Sequence, residues 1–185
     1  MNFQNHKFKV IGVLPLLTHN PSSMGGPSTG PKTRKIPTPE EEAAAGAYRD
    51  DKGNFCIPSV AFRSAFLGGL RNKRVGKSSA ISVFQAAVLT VDELTVLVDQ
   101  KTRKPLKKYV IDSRRAVIQR SGVIRSRPRF NNWGCELMLS IDLDVTTPAQ
   151  VAEHLNNCGQ FIGVGDYRIE KKGMFGSFTA ELCRN

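Results

Sequence analysis

Residues 101–129 carry Lys101, Arg103, Lys104, Lys107, Lys108, Arg114, Arg115, Arg120, Arg125, Arg127 and Arg129 against one acid, Asp112. Eleven bases against one acid give +10 of the chain's formal +11, which leaves +1 for everything else. Such side chains neutralise phosphates, with affinities and association rates that fall as salt rises. Arg125, Arg127 and Arg129 alternate in sequence, and on an extended backbone alternate side chains leave from one face. The pattern predicts a nucleic-acid backbone as partner, either RNA or single-stranded DNA. The competing reading is a solvated arm or a strand edge guarded by charge. Tyr109, Phe130 and Trp133 are the aromatics close enough to stack on bases, and packing within the hairpin would use them equally well.

Three other groups could do chemistry. Gly163-Val164-Gly165-Asp166-Tyr167-Arg168 runs on through Lys171 and Lys172 to Gly173-Met174-Phe175-Gly176, a glycine-studded loop over 159–176. It follows a helical pattern and precedes a strand, the reverse of a dinucleotide fingerprint. Its amides and bases suit a phosphate or a ribose edge, and turn formation would demand the same glycines. His19, at the end of the first strand, is the candidate acid or base, weighed against a role in holding its loop. His154 reads as a helix-surface residue, and His6 as part of a frayed terminus. Asp50 and Asp51 are adjacent, so on an extended chain their carboxylates diverge, and turn formation explains them better than metal or cleavage chemistry. The four cysteines, Cys56, Cys135, Cys158 and Cys183, lack ligand or disulfide spacing. No metal or other cofactor is expected, and reduced thiols suit a cytoplasmic protein. The apolar run 10–17 is too short to span a bilayer, and no membrane partner is expected.

The elements that must position these groups follow from patterning. With 185 residues and 40% hydrophobic content, the chain is long enough for one domain, 1–185, with a proper core. Residues 8–17 read as a first buried strand. A long mobile loop follows within an insertion over 18–55, broken by a short helix announced by Thr38, Pro39 and the acids Glu40 to Glu42, then by a turn over 50–54. A second helix is predicted to start at Pro58 and run to 73 or 74. Phe62, Phe66 and Leu70 would be its buried face, and Arg63, Leu67, Arg71 and Arg74 a largely basic stripe extending the phosphate surface. Apolar runs 81–91 and 94–98 read as strands, with 84–87 a possible helical turn. A basic hairpin spans 101–130. Residues 133–145 alternate as a strand, a helix begins at Thr147-Pro148 and stops at Gly159, and 177–182 form the last strand. The outcome is an α+β, ferredoxin-like or RNA-recognition-like βαββαβ domain with a basic, thumb-like hairpin insertion.

Three pieces in this order resemble the RAMP superfamily, RNA-binding proteins best known as backbone and processing subunits of CRISPR effector complexes. Phe55-Cys56-Ile57-Pro58-Ser59-Val60-Ala61-Phe62-Arg63-Ser64-Ala65-Phe66 is similar to that family's Ile-Pro helix entry, with Ser59 and Ser64 where glycines are usual. The hairpin ending Arg125-Ser126-Arg127-Pro128-Arg129-Phe130 is the second piece, and the glycine-rich loop with its following strand is the third. The match spans most of the chain from Leu16 to Leu182 and extends to short single-domain relatives encoded in phage and prophage genomes. The resemblance implies a non-catalytic RNA-binding subunit within an antiviral ribonucleoprotein, with self-association head-to-tail along the RNA or contact with other subunits. RNA would be held by Arg63, Arg71, Arg74, Lys107, Lys108, Arg114, Arg115, Arg120, Arg125, Arg127, Arg129, Gly163, Gly165, Arg168, Lys171 and Lys172. Three alternatives stay open: a phage single-stranded DNA-binding or annealing protein, a phage protein that binds or mimics a subunit of a host CRISPR complex, and an endoribonuclease of the same superfamily using His19 or the Asp50-Asp51 turn.

Overall fold

The computed structural model describes residues 1–21, 37–118 and 121–183. In chain order its first half contains β1 (Phe3–Gly12), β2 (Leu16–Leu17), α1 (Pro39–Ala45), β3 (Tyr48–Arg49), β4 (Phe55–Pro58), α2 (Val60–Gly68), β5 (Arg74–Val75), β6 (Ser78–Ser79), α3 (Ala80–Ala87) and β7 (Val88–Thr90). There follow β8 (Leu94–Val96), β9 (Val98–Asp99), β10 (Val110–Ile118), β11 (Ser121–Phe130), β12 (Trp133–Asp142), α4 (Pro148–Phe161) and β13 (Phe178–Leu182). The molecule is mixed α+β.

The main sheet is antiparallel in the order β13-β1-β12-β7, with β9 also on β12. Period-two alternation decides which face is covered. Phe8 and Val10 of β1, Cys135, Leu137 and Leu139 of β12, and Phe178 and Ala180 of β13 are all buried in one cluster. Phe62 and Phe66 of α2 and Val151 and Leu155 of α4 complete that cluster, so both helices cover the same face. Each large apolar side chain buried there contributes about 1.5–3 kcal/mol. The opposite face is mixed in charge: Lys7 pairs with Glu136 at 3.2 Å, and Lys9 lies in register between Glu136 and Glu181.

Several boundaries differ from the sequence reading. The first strand begins at Phe3, so His6 lies inside β1 rather than in a frayed end. After Gly12 the chain turns through Pro15, and Leu16–Leu17 joins another sheet beside β11. Pro58 ends β4, opposite Leu94, instead of starting a helix. The helix entry moves to Ser59, whose buried hydroxyl lies 2.7 Å from that of Thr95. Helix α2 then stops at Gly68–Gly69, where two poor helix formers meet. Residues 80–87 are helical, and only 88–90 of that run is strand. Gly159 does not stop α4; it sits within the helix because a side chain there would strike the Phe178 carbonyl, 2.0 Å from a Cβ. His154 is not on a free surface: its ring is half-buried, with Nε2 3.0 Å from the Phe66 carbonyl oxygen.

Other expectations match. Thr38 and Glu41 form a capping box on α1, with Pro39 opening the helix, and Thr147 and Gln150 do the same for α4. Asp50 accepts from the amides of Lys52 and Asn54 and from the Asn54 side chain, which makes it a turn residue. The four cysteines are free, and burial pushes the Cys56 and Cys158 thiols up to about 11, so they stay protonated near neutrality. Most of the predicted long loop lies outside the described residues. Among the described residues no helix is long and apolar enough to cross a membrane.

Candidate nucleic-acid interface

The basic run forms a hairpin from 110 onward; residues 101–109 are turns and a short bridge outside it. β10 and β11 pair from Val110 opposite Arg129 to Ile118 opposite Ser121. The hairpin is no free-standing thumb. Its base joins β2 through Arg129 opposite Leu17 and Phe130 opposite Leu16, and α1 packs against it.

That anchoring changes what its arginines do. Arg125 donates to Glu42 at 2.9 Å, and the second oxygen of the same carboxylate accepts the Ser126 amide at 2.8 Å. Arg127 pairs with Asp166 of the glycine loop at 2.6 Å, its side chain only 14% exposed. Arg114 and Arg129 both donate to buried Asp112. Burial alone would raise the Asp112 carboxyl, but the hydrogen bonds and charges of Arg114 and Arg129 outweigh it and hold the pKa below the usual carboxylate range. Each arginine of the alternating row therefore meets an acid, Arg127 being mostly buried and Arg125 and Arg129 about a third exposed. Arg120 lies outside the described residues.

Outside the hairpin the predicted bases divide. Arg63 donates to the carbonyls of Val88 and Gln85, so it ties α2 to the end of α3. Arg71 and Arg74 fall beyond α2, so the basic helical stripe does not exist. Arg71 meets Glu170 at 2.9 Å and stays exposed, and Arg168 meets the same Glu170 at 2.7 Å. Lys107 reaches the Asn54 side chain at 3.4 Å. Among the described residues Arg74, Lys108, Arg115, Lys171 and Lys172 are exposed and enter no ion pair. Trp133 and Phe130 are buried, so neither offers a stacking face, and Tyr109 is half-buried in a T-shaped contact with Phe55. Tyr167, which the sequence reading passed over, is 48% exposed beside Phe175, and Arg114 lies over the Phe175 ring, 4.8 Å from its centroid.

The glycine loop folds on itself. Gly176 adopts φ 70 and a Cβ there would sit 1.7 Å from the Val164 carbonyl oxygen, while at Gly165, φ 79, a Cβ would strike the Leu17 carbonyl. The amides of Val164 and Asp166 donate to Gly176 and Leu17 carbonyls. Close backbone packing therefore accounts for these glycines.

A cleft of about 500 Å3 opens where this loop, the start of α2 and the end of β2 meet. Gly163, Gly165, Arg168, Arg71, Ser64 and His19 are among its lining residues. His19 sits there with Tyr48, whose hydroxyl donates to the His19 carbonyl at 3.2 Å. Burial lowers the His19 pKa; Asp166 opposes that shift, and Arg127 and Arg125 add to it. The shift favours the neutral ring, which can donate or accept a hydrogen bond. No described residue stands beside it as a second acid or base with a hydrogen bond to the ring. Among the described residues no cluster of His, Cys, Asp or Glu is placed to hold a metal ion.

Sequence reasoning missed Glu42, Asp166 and Glu170, the acids that hold the arginines. Glu42 carried only the signal of a helix first turn, and no local pattern tells that it reaches residues 83 positions away. No protein-family model matches the chain, and no curated protein matches it in sequence.

Proposed function

We propose that this is a non-catalytic RNA-binding protein with a ferredoxin-like, RAMP-like fold, which holds a single strand by its phosphates. The observation that carries the reading is the cleft. Two segments on which the resemblance rests, the helix entry around Pro58 to Ser64 and the loop around Gly163 to Arg168, lie about a hundred residues apart in sequence and line the same cleft. The strand order β13-β1-β12-β7, with α2 and α4 on one face, is in keeping with a βαββαβ domain.

In this reading the phosphates pass the exposed bases: Lys107, Lys108 and Arg115 on the hairpin side, Lys171 and Lys172 at the loop. Arg71 and Arg168 stand at the cleft, where Glu170 orders them. Tyr167 supplies a face for one base, a contact indifferent to sequence because every base can stack. The charge-balanced open face of the main sheet makes a poor phosphate track, so the strand follows the cleft side. Affinity comes mainly from counterion release.

The test is purification without nuclease, followed by identification of co-purifying nucleic acid and the mass of the particle. Discrete protected RNA in a high-mass particle is the expected result and would fit head-to-tail assembly. A nucleic-acid-free monomer that binds neither RNA nor single-stranded DNA overturns the reading in favour of a protein-interaction role. Equal affinity for the two nucleic acids would favour single-stranded DNA binding.

A further inference from the structure

A second basic concavity lies apart from the hairpin. Arg71, Asn72, Lys73, Arg74, Lys77 and Ser79 line a hollow of about 560 Å3, with Ile81 as its apolar wall. The chain forms it by a tight reversal. Arg74 pairs with Ser79 and Val75 with Ser78, and Gly76 takes the turn at φ 59. All of residues 71–79 are exposed. Four cations therefore share one hollow that no described Asp or Glu lines, and among the described residues only Arg71 of the four has an acid partner.

The lining chemistry selects the ligand. An internal phosphodiester carries one charge and passes along a track, whereas a terminal phosphate monoester approaches two charges near neutrality and offers three acceptor oxygens. Four cations with a hydroxyl and an amide around one hollow suit the dianion. No aromatic lines the hollow, so it has no platform for a base. Arg71 lines both this hollow and the 500 Å3 cleft, which makes the two neighbours through a shared side chain. We propose that the 71–79 hollow holds the terminal phosphate of the RNA strand whose body lies along the cleft. This inference rests on the RNA-binding reading above.

The test compares single-stranded RNA of one sequence, labelled internally, with a 5′-phosphate, a 3′-phosphate or two hydroxyl ends, at fixed salt. It uses the full-length wild type and a Lys73→Ala/Arg74→Ala/Lys77→Ala variant. These three side chains are exposed, and Arg71 is kept so that the cleft is unchanged. Wild type should bind one of the phosphorylated strands about tenfold tighter than the hydroxyl-ended one, or about 1.4 kcal/mol. The variant should bind all three alike, and added inorganic phosphate should erase the wild-type preference without releasing hydroxyl-ended RNA. Equal wild-type affinity for all three strands refutes the terminal-phosphate site and leaves RNA binding standing. A preference that survives in the variant refutes its location. Failure of wild type to bind any of the strands refutes the RNA reading and this inference together.

Discussion

The β10–β11 hairpin and the 71–79 reversal are both basic, but they use their charge differently. In the hairpin, Arg114, Arg125, Arg127 and Arg129 are held by Asp112, Glu42 and Asp166. In the reversal, Lys73, Arg74 and Lys77 face solvent with no acid lining their hollow. Charge density along a sequence therefore does not measure the positive potential offered to a ligand. The densest run is largely consumed in joining α1, the glycine loop and β2 into one unit, and in the shorter run Lys73, Arg74 and Lys77 are left available. Partly buried arginine pairs of this kind hold segments in place, and removing one partner costs far more than an exposed pair would.

The sharpest way to break the comparison is Arg127→Glu. It places a carboxylate against Asp166 at a site only 14% exposed, and it should cost about 3–5 kcal/mol. For a chain of this size that lowers Tm by roughly 6 °C or more by calorimetry. A Tm within a degree or two of wild type would show that the hairpin is not anchored through this pair. Gly176→Ala should come next, at about 2–3 kcal/mol by denaturant titration, because a positive φ and a carbonyl 1.7 Å from the new Cβ both oppose it. In the reversal the expectation is the opposite. Lys73→Ala, Arg74→Ala and Lys77→Ala together should leave Tm nearly unchanged, each within about 0.5 kcal/mol, while weakening binding of end-phosphorylated RNA. Tyr167→Ala should remove about 1–2 kcal/mol of single-strand affinity without loss of fold.

The smallest effect is in pH. The Asp112 carboxyl has a folded pKa below its unfolded one, so its contribution to stability is present above the unfolded value, near 4, and is lost as pH falls through the folded value. Wild type should accordingly lose stability from about pH 5 downward. Asp112→Asn should be less stable at pH 7 and show a shallower acid dependence, so that the two proteins converge at low pH. Parallel curves from pH 7 to pH 3 would mean that the carboxylate is not what holds Arg114 and Arg129.

Much of the fold was legible because it is written locally. Alternation in 133–142 and 177–182, the capping boxes at Thr38 and Thr147, and the turn at Asp50 depend on neighbours within a few residues. The misplaced boundaries at Pro58 and Gly159 share another cause. Pro58 fits a strand end as well as a helix start, and Gly159 is required by a carbonyl on a strand nineteen residues later, as the close approach to Phe178 shows. The site was legible in kind and not in allocation. The concentration of arginine was plain, but which acid each would meet depended on tertiary contacts such as Glu42 with Arg125. The charge of Lys73 and Lys77 was legible, since residues 52–91 hold six bases and no acid, but only the reversal at Gly76 brings them into one hollow.

The most direct test of the central claim is a titration of 5′-phosphorylated and of 3′-phosphorylated single-stranded RNA over a salt series. It would use wild type, the Lys73→Ala/Arg74→Ala/Lys77→Ala variant and a Lys107→Ala/Lys108→Ala/Arg115→Ala variant, with Tm measured on each. Wild type should bind, with log affinity falling linearly in log salt. Removing either set of exposed cations should make that slope shallower, by up to roughly 2, at unchanged Tm. A folded wild type that binds no RNA at low salt, or slopes identical in all three proteins, would contradict the account.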